Sequence, residues 1–136
     1  MTAIFRERLA IGMSLWDMEE QSGVSLNSAY QWLKGDRSPA VPNFVSLAET
    51  VGFEVVMRSI LDPAITYDAA NLRHVMAALD NARKEMALST KGLRAGTSVA
   101  SNSFYAWLKR HRDPTLERLI ALAGPLGFSL VMRRKR

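Results

Sequence analysis

The sequence predicts a mainly α-helical protein made of two tandem copies of one small module, each closed by a short β-strand. Three observations lead there. Residues 24–58 align without a gap on residues 99–133, with 16 of 35 positions identical, where unrelated segments would share roughly two. Within each copy, apolar residues recur at helical spacing between capping serines, Gly and Pro. After each helical stretch the period changes to two, at Phe53, Val55 and Met57 and again at Phe128, Leu130 and Met132. Rare residues match in register, Tyr30 with Tyr105, Trp32 with Trp107 and Pro39 with Pro114, so the chain is a duplication. Copy one occupies residues 1–58 and copy two residues 68–136 with a basic C-terminal tail; residues 59–67, containing Asp62-Pro63, read as the linker.

Each element has a local reason. Met1 to Ile11 is weakly helical, with Ile4, Phe5, Leu9 and Ile11 as its apolar positions. Ser14 is a good N-cap, with Asp17 three residues on, for a short helix from about Leu15 to Ser22 that stops at Gly23. Ser25 caps the next, Leu26 to Lys34, which ends at Gly35. After Pro39 and Pro42 comes a helix whose Val41, Phe44, Val45, Ala48 and Val51 share one face, with Gly52 as its end. The strand after it needs a partner for its backbone groups, and the other copy has one to offer. Copy two opens with a longer helix, Ala69 to Leu88 behind Asp68, buried along Leu72, Val75, Met76, Leu79, Ala82 and Met86.

Charge divides the copies. Residues 1–65 hold five Lys and Arg against eight acidic residues, a net −3; residues 66–136 hold thirteen against five, a net +8. A half so basic invites a polyanion, with nucleic acid foremost. The chain has no cysteine, which excludes disulfides and thiolate metal sites. It has no apolar run of the roughly 18–20 residues that cross a bilayer, and no charged-then-apolar secretory leader, so no membrane partner and a cytoplasmic address are expected. His74 and His111 are not at metal-ligand spacing with carboxylates, and no phosphate loop or nucleophile motif is present. No enzyme, metal or cofactor is expected.

Two short helices across a tight turn describe a helix-turn-helix. The order Ser14-Leu15, Met18, Gly23-Val24-Ser25, Ala29, Trp32, Gly35, Pro39, Leu47-Ala48 and Gly52 resembles the Cro/repressor-type helix-turn-helix family, also called the XRE family. The resemblance covers about residues 3–52 and, through the repeat, 78–127. It implies two tandem lambda-repressor-like helix-turn-helix domains. Copy two departs from the pattern at Ser98, Arg110 and Gly92, and Leu26 and Ser101 stand where the family commonly has Gln.

What the resemblance implies is double-stranded DNA as partner, with Leu26–Lys34 and Ser101–Lys109 as recognition helices entering the major groove. Ala29, Trp32, Phe104 and Trp107 then point inward. The groove-facing set is Leu26, Asn27, Ser28, Tyr30 and Gln31, and Ser101, Asn102, Ser103, Tyr105 and Ala106. Base reading falls to Asn27, Ser28, Gln31, Ser101, Asn102 and Ser103, because Asn and Gln can bond adenine at two atoms. Phosphate contact falls to Lys34 and Arg37 in copy one and to Lys109, Arg110, His111 and Arg112 in copy two. The expected function is a sequence-specific transcriptional regulator of bacterial or phage type. The rival is an antitoxin or anti-activator that uses the same scaffold to hold another protein. Two arrangements stay open: strands 53–58 and 128–133 pair within one chain, or between two chains of a homodimer.

Overall fold

The computed structural model describes residues 1–135, which hold eight helices and three strands. Copy one contributes α1 (Thr2–Ala10), α2 (Leu15–Ser22), α3 (Leu26–Lys34), α4 (Val41–Thr50) and β1 (Phe53–Ser59). After β2 (Thr66–Asp68), copy two supplies α5 (Leu72–Glu85), α6 (Thr90–Thr97), α7 (Ser101–Leu108), α8 (Leu116–Ala123) and β3 (Phe128–Arg134).

Local chemistry repeats with the sequence, including upstream of the aligned stretch. Ser14 Oγ accepts the Asp17 N–H at 3.0 Å, and Ser89 Oγ accepts the Gly92 N–H at 3.0 Å, so α2 and α6 start on matching caps. Arg8 donates to the Met13 carbonyl at 2.8 Å and its mate Arg83 to the Leu88 carbonyl at 2.7 Å. Each arginine thereby pins the turn between the first two helices of its copy. Gly23 ends α2 at φ 73°; its mate Ser98 takes φ 61°, where a side chain is strained. That strained turn is braced by Thr97 Oγ1, which accepts the Val99 N–H at 3.1 Å, as Ser22 Oγ does for Val24.

Buried residues of both copies form one continuous cluster, from Ile4, Met18 and Ala29 through Val45, Met57 and Leu79 to Phe104, Trp107 and Leu122. The copies therefore share a core, which suits units too small to bury enough surface alone. Above it lies an antiparallel sheet in the order β2-β1-β3. Val55 and Met57 face the helices and are buried, with Phe53, Tyr67, Phe128, Leu130 and Met132 packed beside them.

The register carries the main architectural fact. Val56 pairs with Val131 across β1 and β3, and Ala40 bridges Thr115; in each case a residue meets its own repeat mate, 75 positions on. Around the second point the Val41 N–H donates to the Pro114 carbonyl at 3.0 Å and the Leu116 N–H to the Pro39 carbonyl at 2.8 Å, each bond the image of the other. A pseudo-two-fold axis thus passes through both pairs. The partner each strand requires is supplied within the chain.

The structure corrects several expectations. The linker is not all loop, because Thr66–Asp68 forms β2 and covers the outer edge of β1. Asp68 consequently belongs to a strand, where its carboxylate accepts the Ala70 N–H. The long helix starts three residues later than expected, capped by Asn71. It ends at Glu85 rather than Leu88, since Ala87 takes φ 54°, and this leaves Met86 exposed instead of buried. Val56, which alternates with Val55 and Met57 along the central strand, is buried as they are. The basic tail is in part a strand. Arg133 bonds Glu54 at 2.7 Å and Arg134 bonds both Glu7 oxygens at 2.7 and 3.0 Å, while Arg136 lies outside the described residues.

Candidate functional site

The two helices that follow the tight turns present matching outward stripes. On α3, Asn27, Tyr30, Gln31 and Lys34 recur at i, i+3, i+4 and i+7, one face of a helix. Asn102, Tyr105, Ala106 and Lys109 repeat that face on α7 and just past its end. Asn27, Asn102, Lys34 and Lys109 are exposed, and neither Asn makes a side-chain hydrogen bond among the described residues. Gln31 and Ser101 are half-buried at the edge of these stripes. Tyr30 packs on Phe5, their ring centroids 5.7 Å apart.

Other expected residues fall elsewhere. Ser103, taken as a base reader, is only 8% exposed. It sits one turn before Trp107 and so shares the face that carries the tryptophan into the core. Ser28 is its mate one turn before Trp32; it is half-buried, and its hydroxyl takes a bond from Ser25 Oγ at 3.0 Å. Trp107 is a core residue as expected, whereas Trp32 is only half-buried and lines a surface cavity with Met1, Gly35 and Phe44. Arg110, expected on phosphate, is bound to Asp113 and reaches the Trp107 carbonyl at the C-terminal end of α7. Its backbone stands at φ 63°, where its mate Gly35 has φ 81°. Arg37, His111 and Arg112 are exposed in the loops after the two helices.

The sharpest difference between the copies lies at the N-terminal ends of these helices. Glu19 of α2 reaches across the turn, and its carboxylate accepts the Leu26 N–H at 3.1 Å. The positive end of α3 is thus occupied by the chain's own anion. The mate of Glu19 is Arg94, and no side chain caps α7 at Ala100. Lys91 and Arg94 instead border an open groove with Ala100, Ser101 and Asn102. Those two cations were missed in the sequence. The repeat offset could have found them, because it places Lys91 on Trp16 and Arg94 on Glu19 beside the turn. Trp16 itself is 75% exposed, on a helix that also exposes Asp17 and Glu20.

Among the described residues no three His, Asp or Glu side chains gather as metal ligands. Nor is any helix long and apolar enough to cross a membrane. Among the cations that face solvent around α7 are Lys91, Arg94, Lys109, Arg112 and Arg118, set near an Asn that is exposed on the helix itself.

The chain matches no family model, no curated protein and no solved structure.

Proposed function

We propose that the chain is a sequence-specific DNA-binding regulator of bacterial or phage type, in which one polypeptide presents two major-groove helices, α3 and α7, across its internal axis. The observation that carries the reading is the register. Residues meet their own repeat mates at Ala40/Thr115 and Val56/Val131, so α3 and α7 are related by a two-fold like the one that runs through a duplex half-site pair.

In this reading Asn27 and Asn102 read bases, with Gln31 beside the first. Lys34, Arg37, Lys109, His111 and Arg112 meet phosphates, joined by Lys91 and Arg94 at the open start of α7. Affinity comes chiefly from copy two, where the cations are. The half-sites differ, since Gln31 stands opposite Ala106 and Glu19 opposite Arg94. A mobility-shift series in rising salt tests the proposal. A specific duplex should stay bound at moderate salt while random duplex is shed, and equal loss from both would overturn it.

A second reading has one observation in its favour. Trp16, Asp17 and Glu20 make an exposed apolar and acidic surface on copy one at the place where copy two carries Lys91. That chemistry suits a protein partner, as an antitoxin or anti-activator on this scaffold would need.

A further inference from the structure

The pseudo-two-fold exposes one place where the halves are built differently at the sheet ends. Beyond the β1 start, Arg134 crosses from β3 to α1 and bonds both oxygens of Glu7, closing the gap between sheet and helix. At the opposite end the mate of Glu7 is Ala82, and the mate of Arg134 is Ser59. No ion pair can form there. Two adjoining grooves of about 330 and 320 Å³ remain open instead, and both are lined by Ala82 and Glu85.

The first groove is mainly apolar, while the second mixes apolar side chains with Ser59, Asn81 and Glu85. One is walled by Leu61, Met86 and Pro125, the other by Ile65, Tyr67 and Phe128. Ile60, Leu61, Ile65 and Met86 are 57, 96, 46 and 52% exposed. Ile60 is fixed to the same corner, because its N–H donates to the Gly127 carbonyl at 2.9 Å. Leu61 thus stands almost wholly in solvent at the rim of a hollow that has the size and polarity to take such a side chain. A knob beside a hole is self-complementary under a two-fold rotation.

We infer that this corner is the contact between two copies of the chain, with the Ile60–Leu61 tip of each seated in the Ala82–Met86–Pro125 groove of the other. Area decides for a second copy. The four exposed aliphatic side chains present on the order of 400 Å² of apolar surface, the size at which a patch marks an interaction site. Doubled across an axis and edged by Asp62, Asn81 and Glu85, it approaches the ~1,000 Å² of a specific interface. The surface is formed by the linker, α5 and the turn before β3, none of which carries the stripe of α3 or α7. The inference therefore stands whether or not those helices meet a duplex.

Sedimentation equilibrium of the full chain, free of nucleic acid, tests it. The wild type is expected to reach the mass of two chains by roughly 100 µM, while Leu61→Glu stays at one. Met86→Glu, on the opposite wall, is expected to do the same; both sites are exposed, and unchanged circular dichroism would verify that each variant folds. A wild type that keeps a single-chain mass overturns the inference, and leaves the corner to a different partner. So does a Leu61→Glu variant that still pairs.

Discussion

Glu19 gives the most direct handle on how the two copies divide their work. Replacing it with Gln keeps an oxygen to accept the Leu26 N–H and removes only the charge. A phosphate drawn to the start of α3 would sit about 6 Å from that carboxylate, given the 3.1 Å already separating Glu19 Oε1 from the Leu26 nitrogen. At that distance two unit charges repel by about 0.7 kcal/mol in bulk water and about 1.4 kcal/mol at an effective dielectric of ~40. Relief of that repulsion corresponds to roughly three- to tenfold tighter duplex binding. Glu19→Arg, which installs the residue that copy two has at Arg94, should tighten it further and steepen the log–log salt dependence by about 0.9 for the added phosphate contact. Fluorescence anisotropy with a labelled duplex at several salt concentrations reads both quantities. A folded Glu19→Gln variant with unchanged or weaker binding would refute the reasoning, because α3 would then not approach the backbone.

Further outcomes follow from the same geometry. Asn102→Ala should cost about 1–3 kcal/mol of discrimination between selected and random duplexes, measured by competition, whereas Ser103→Ala should change discrimination little because that hydroxyl is turned inward. Lys91→Ala and Arg94→Ala should weaken binding to every sequence alike, each lowering the salt slope by about 1; a selective effect on one sequence would contradict their assignment to phosphates. Met57→Ala empties a fully buried site under the central strand and should destabilise the fold by about 2–5 kcal/mol in urea unfolding. The Arg134 guanidinium holds the Glu7 carboxyl below its ordinary value of about 4.5 through its hydrogen bond and its charge. A depressed carboxyl adds stability at pH above its unfolded value and loses it as pH falls through the folded one, so wild type should lose more stability than Glu7→Gln on acidification below about 4.5.

Most of the helices were legible because their signals are local. Ser14, Gly23, Ser25 and Gly35 act on their own turns, and the structure uses each where the sequence puts it. The duplication was legible through Trp, Tyr and Pro in register, and strand pairing followed from the need of backbone groups for partners. β2 was not, since Thr66–Asp68 is too short for periodicity and forms only because β1 offers an edge. At the site, Asn27 and Asn102 could be placed by helical phase, and the same phase, counted from Trp107, would have set Ser103 inward. Lys91 and Arg94 were within reach of the repeat offset, whereas the bond of Glu19 to Leu26 belongs to contacts across a turn. Such contacts appear only when the helix before the turn is set against the one after it.

On the proposed function, one chain sets two unlike duplex-reading helices across an internal two-fold. Selection of bound duplexes from a random pool, followed by footprinting of the winner, tests it most directly. Two related but unequal half-sites are expected, centred about 10–10.5 base pairs apart, with the stronger protection on the half that loses contact in Arg94→Ala. A pool that yields no enriched sequence, or a footprint confined to a single half-site, would contradict it.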